Sequence, residues 1–299
     1  NQDTQLCAED SYSLLGSVLV KEGTTLYIEP GTTLNMGDNA SFEPGELVIG
    51  RGARIEAIGT VEAPIIMTGP SSEDYPGLWG GLVLHGLGPS SQDTAGDPED
   101  SSGTLQYLKL HNAGADSSTA EGAALRLISQ GSGTTIDHIE VKSSASSAIS
   151  AQGGNVDLSY LMIRNTGRRA LNWRGGYTGT VQYAIIDSLR QKSGLSGQQW
   201  GDDAEESEIN ETPEIRSHPK LYNLTIINSV GHAVRLRLGT GAELANSVII
   251  SSTKCAIYVD EHSAAAGEVD IHHIVIAWPR ARAICLGQKA GVQVSAGCV

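Results

Sequence analysis

Phenylalanine occurs once in these 299 residues, and aromatic residues together make up only 5%. Too few rings are present to fill a large core, so Val, Ile, Leu and Ala must do it. No apolar run approaches the roughly 20 residues that a transmembrane helix needs. Basic residues are scarce too: 20 Lys and Arg stand against 34 Asp and Glu, a net charge of −14. Such a surface repels nucleic acid and anionic membranes. The four cysteines, Cys7, Cys255, Cys285 and Cys298, show neither a C-x-x-C motif nor Cys/His ligand spacing, which argues against zinc. They suit an exported chain with one or two disulfides. The chain opens at Asn1 without a leader peptide, as a processed protein does, so an extracellular or cell-surface location is expected.

What is abundant is glycine, with 36 residues, and repetition. Between Lys220 and Leu286 one pattern is written nearly three times. His232-Ala233-Val234-Arg235-Leu236, Cys255-Ala256-Ile257-Tyr258-Val259 and Arg282-Ala283-Ile284-Cys285-Leu286 each run from a small residue into alternating apolar positions, with the alanines 23 and 27 residues apart. Strand-type alternation at such a period marks a solenoid, whose repeats bury their apolar side against their neighbours.

The same reading extends towards the N-terminus. A first coil is predicted over Ser17 to Met36 and a second over Glu46 to Ala57, because Leu26, Ile28, Gly31 and Leu34 recur 21 residues later as Leu47, Ile49, Gly52 and Ile55. A second register passes through Tyr107, His138, Tyr160, Tyr183, Asn223, Ser247 and His273, each followed by apolar or Ala positions. Two stretches break the pattern, about 86–102 and 188–219, and both read as long surface loops. Successive coils wind one way, so their strands pair in parallel, and parallel crossovers are right-handed by strong preference. The expected fold is all-β: a right-handed single-stranded parallel β-helix of about ten coils, one domain spanning 1–299 with two loop insertions.

Leu26-Tyr27-Ile28-Glu29-Pro30-Gly31-Thr32, Arg51-Gly52-Ala53 with Ala63-Pro64-Ile65-Ile66, Trp79-Gly80-Gly81-Leu82, Ser102 to Tyr107 and Gly131 to His138 form a set of motifs. In these the chain, from Val18 to Ile227, resembles a group of bacterial secreted or surface β-helix proteins, many known only as lipoproteins or hypothetical proteins. The resemblance implies fold and export, and no settled activity. Where such proteins often carry an Asp-rich coil, this chain has Gly167-Arg168-Arg169-Ala170-Leu171-Asn172-Trp173-Arg174.

Several residue sets are candidates for chemistry. Asp137-His138 resembles a fragment of the pectate-lyase signature, and Gly231-His232-Ala233 resembles the Gly-His-Gly of polygalacturonase-type hydrolases. Asp202 and Asp203 would supply the paired carboxylates that inverting glycosidases need, with His232 as the third catalytic candidate. Each match is two or three residues long, and a loop placement for the aspartates separates them from His232. Asp97, Glu99 and Asp100 are the candidate calcium ligands, against the plainer reading of a solvated acidic loop. No other cofactor is expected. Arg169, Arg174, Arg235 and Arg237 form a basic strip on an acidic molecule, suited to an acidic glycan, and Trp200 would stack on a sugar. Placing Arg174 and Arg237 on adjacent coils would put Asp260 on the next. His138 and His273 fall in the corner register and His272 points outward.

The ends matter as well. A β-helix exposes strand edges at both ends, and no amphipathic capping helix precedes Ser17. Cys7 and Cys298 lie near opposite termini, about 45–50 Å apart on a ten-coil rod, so a bond between them must join two molecules. Alternatively Cys298 pairs locally with Cys285. The sequence favours a non-enzymatic, structural or adhesive solenoid at the cell surface that stacks head to tail into filaments. A lyase, a hydrolase or a binding module acting on an acidic polysaccharide is the alternative.

Overall fold

The computed structural model describes residues 2–37, 44–70, 75–115, 122–187, 193–198, 215–266, 268–277, 282–286 and 293–294. Asp202, Asp203, Trp200 and Cys298 lie outside them. The chain is a right-handed parallel β-helix. In each coil alternate side chains point inward: Leu47 and Ile49 of Glu46–Ile49, for example, are fully buried. All recorded strand pairs are parallel and form two sheets. Among the described residues sheet B holds ten strands, from Val18–Val20 to Ile284–Leu286. Sheet A starts at Thr4–Leu6 and ends at Gln293–Val294. No helix among the described residues is long and apolar enough to cross a membrane.

The coil begins earlier than Ser17. Thr4–Leu6 and Tyr12–Leu14 already pair with Thr25–Ile28 and Thr33–Met36. The 21-residue repeat relates different sides of the coil. Leu26 lies beside Ile55 on sheet A, and Leu47 lies beside Val18 on sheet B. Alternation looks the same on every side, so composition could not tell the sides apart.

In the first three coils sheet A is made of separate strands. In the fourth, two of these merge into one bent strand, Gly103–His111, whose halves pair with Arg54–Ile58 and Ile65–Thr68. The bend is at Tyr107, where φ is +49°, and it recurs at His138, Tyr160, Tyr183, Asn223, Asn246 and His273. The sixth of these is Asn246, not Ser247. Tyr222 pairs with Ala245 and Thr225 with Val248, so the expected register slips by one in this coil. Ser247 instead turns inward and is buried, its Oγ donating to Ala245 O and accepting from Leu224 N–H. Left-handed backbone costs an L-residue about 1–2 kcal/mol. Asn tolerates it by its short polar side chain. The aromatic members offset it by stacking: Tyr107–His138 at 4.2 Å, His138–Tyr160 at 4.5 Å and Tyr160–Tyr183 at 5.0 Å between centroids.

The 188–219 stretch is not all loop. Ser193–Gln198 is a strand of sheet B, with Leu195 between Leu171 and Val234, and Ser217 is buried against the coil. Its place in the alanine register falls on Gly194, which hid the coil. The aliphatic core also holds three large rings. Trp79, Trp173 and Tyr177 are fully buried, and each satisfies its polar atom: on His111 O, on Thr240 Oγ1 and on Val156 O. Near the C-terminal end a short helix, Glu261–Ala266, starts at Asp260, whose carboxylate accepts the Ser263 N–H.

Candidate functional site

One corner of the β-helix gathers the candidate site. Where sheet B ends, Arg51, Gly86, Ser129, Gly153 and Gly175 occupy equivalent places on successive coils, as follows from the register of Ile49, Leu84, Leu127, Ala151 and Trp173. The 86–102 stretch leaves here, as expected, and folds back over the corner. Backbone bonds fix it: Gly88 N–H to Ser129 O, Ser132 N–H to Pro98 O, Gly154 N–H to Pro89 O and Ser91 N–H to Gly175 O. Close approach demands glycine. A Cβ on Gly153, where φ is +65°, would lie 2.5 Å from Ser90 Cβ.

Between this loop and the corner lies a cleft of about 420 Å³, lined among others by Arg51, Gln92, Asp93, Ser129, Gln152 and Arg174. Its volume falls within the range of about 300–1,000 Å³ typical of small-ligand sites. The Arg174 guanidinium donates to Gln152 Oε1 at 3.1 Å. His85, the last strand residue before the loop, has its pKa held down first by burial and then by Arg126 and Arg51. Guanidinium groups recognise carboxylates in paired, directional bonds, while Gln and Ser side chains match sugar hydroxyls.

The other expected residues fall as follows. In the strand register Gln198 stands between Arg174 and Arg237, so the two arginines are two coils apart rather than on adjacent coils. Asp260 follows Arg237; it accepts the Leu238 N–H and caps the short helix. Arg235 lies on a neighbouring row with Arg126, and Arg169 donates to Asn172 Oδ1. His232 does not join a catalytic group within the described residues. It packs on Tyr258 and its Nδ1 contacts Cys255 O, with burial lowering its pKa. Asp97 and Asp100 carboxylates accept the backbone N–H groups of Glu99 and Leu87. Among the described residues, no three His, Cys, Asp or Glu side chains, Glu99 included, group as a metal site. Cys255 is bonded to Cys285, so the local pairing of Cys285 with Cys298 is corrected. Cys7 is a free thiol whose pKa is raised first by desolvation and then by Glu29, Asp10 and Glu9.

Arg51, Gln92, Asp93 and Gln152 were missed by sequence reasoning. The signal was present only in the coil register, which places Arg51 under the loop that leaves one coil later.

The parallel β-helix defines the class of this protein. The sequence matches the pectate-lyase-like β-helix domain over residues 1–278, and the chain belongs to that family. A search of the curated proteins finds no match.

Proposed function

We propose that this chain is an exported, non-enzymatic β-solenoid of the cell surface that holds an acidic polysaccharide in the corner cleft. The observation that carries the reading is the placement of Arg51 and Arg174 on one cleft with Gln152, Gln92 and Ser129. Two cations against the one carboxylate of Asp93, on a molecule of net charge −14, favour a ligand that brings its own carboxylates. Titration calorimetry with uronate oligosaccharides tests it. Binding that weakens at least tenfold in Arg51→Ala and Arg174→Ala, and that neutral oligosaccharides do not reproduce, is expected. No binding, or equal binding by both variants, overturns it. Release of unsaturated products from the same oligosaccharides would move the reading to a lyase.

A second reading, head-to-tail self-association, is favoured by the ends. Among the described residues, sheets A and B finish on Thr4–Leu6 and Val18–Val20 at one end, and on Gln293–Val294 and Ile284–Leu286 at the other. Because every strand runs the same way, one copy's last coil has the direction that another's first coil would pair with. The N-terminal end also carries a hollow of about 400 Å³ lined by Leu6, Leu14, Val18, Val20, Leu26 and Leu47. Negative-stain microscopy with and without reductant decides it. Filaments support stacking, and uniform single rods in both conditions overturn it.

A further inference from the structure

The left-handed corner of sheet A does something that ordinary strand geometry forbids: it brings two consecutive side chains together on the outside. Two coils show this. Asp137 Oδ1 meets His138 Nδ1 at 2.7 Å, and His272 Nδ1 meets His273 Nδ1 at 2.7 Å. The first pair is saturated. The His138 ring is sandwiched between Tyr107 and Tyr160, and the other Asp137 oxygen accepts from Gln106 Nε2. The second pair is different in kind. Its two ring nitrogens face each other, His273 is exposed, and the rings stand edge to face at 85°.

His272 is also oriented from behind. Its Nε2 lies 3.6 Å from Glu243 Oε1, on the preceding coil. Tyr222, one coil further back, lies beside Glu243, and its pKa is raised first by desolvation and then by that carboxylate. A carboxylate near the far nitrogen of an imidazole favours the tautomer that carries its proton there, which leaves His272 Nδ1 to accept. In that tautomer the Nδ1–Nδ1 contact is a hydrogen bond from His273, and binding a metal moves the His273 proton to its own Nε2.

We propose that His272 and His273 form a two-histidine site for a divalent copper ion, with Glu243 as the positioning carboxylate. Two neighbouring imidazole nitrogens suit the tetragonal geometry of Cu(II), which heads the order of affinity among divalent first-row ions. The remaining positions fall to water. The site lies on sheet A, away from the sheet B cleft, and is independent of what that cleft binds.

The preceding coil supplies the control. Ala245 and Asn246 occupy the places of His272 and His273, so His272→Ala with His273→Asn copies a corner that this fold already contains. Copper(II) chloride is titrated calorimetrically into the full chain, free of any histidine tag, and the complex is examined by electron paramagnetic resonance. One ion per chain with hyperfine structure from two nitrogens is expected. The double variant should keep its melting temperature and lose at least tenfold in affinity, Glu243→Gln should lose about tenfold, and His138→Asn should bind as the native chain does. No stoichiometric uptake, a signal from an adventitious ion only, or native affinity in the double variant overturns the proposal.

Discussion

The Arg126 guanidinium donates to the Glu46 carboxylate at 2.6 Å, reaching past the coil that lies between them. Glu46 pairs in register with Gly81, and Arg126 with Val83, so the two charges are two coils apart. Glycines open the path: a Cβ on Gly80 would lie 2.4 Å from Glu46 Cγ. Both side chains are about four-fifths buried, at 18% and 21% exposure. A charge-assisted bond of this kind contributes about 1.5–3 kcal/mol. Glu46→Gln should cost that much in chemical denaturation. Gly80→Ala should cost clearly less in the Glu46→Gln background than in the native one.

Acid sensitivity should centre on Glu140. Its pKa falls to about 2, first through His111, whose Nε2 lies 3.4 Å away, with Lys109 and Arg164 adding to it against the cost of burial. The folded value lies below the unfolded one of about 4.5. The stabilisation is therefore complete above about pH 4.5 and is lost as pH falls towards 2. Its size is on the order of 2 kcal/mol after allowing for solvent. Unfolding of Glu140→Gln, followed between these pH values, should show a flatter acid limb than the native protein.

Corner residues should be ranked by backbone tolerance rather than by hydrophobicity. Tyr183 has φ of +58° and is 46% exposed. Tyr183→Asn should cost under about 1 kcal/mol, because Asn serves the same corner at Asn223, while Tyr183→Val should cost about 2 kcal/mol or more. Thermal melts of the two variants test the order.

Reduction should loosen one end only. The Cys255–Cys285 bond closes a separation of 30 residues and ties the ninth coil of sheet B to the tenth. Loop-closure entropy assigns about 3–4 kcal/mol to such a link. Under reductant, proteolysis should begin after Cys255 and leave the coils before Lys220 intact on mass analysis.

The fold was legible because strand alternation and corner residues recur in the sequence itself: Tyr107, His138, Tyr160 and Tyr183 announce the bend that the structure places there. Errors arose where a repeat loses its marker. Gly194 stands in an alanine place and hid a coil, and Ser247 resembles a corner residue more than it resembles the core residue it is. The site was legible only in part. Arg174 could be named from charge, whereas Arg51 enters the cleft through a register spanning more than 120 residues. His272 could be placed outside, but the meeting of its Nδ1 with that of His273 depends on a positive φ that no spacing rule reports.

The 86–102 segment bears on how the molecule yields to force. In a stack where each coil touches only its neighbours, tension at one end peels coils away singly. Here the segment departs after the third strand of sheet B and is hydrogen-bonded to the fourth, fifth and sixth coils through Ser129, Gly154 and Gly175. Peeling must therefore halt at this strap, and the coils beneath it can only rupture together. The middle of the rod acts as a mechanical clasp between two ends that unzip.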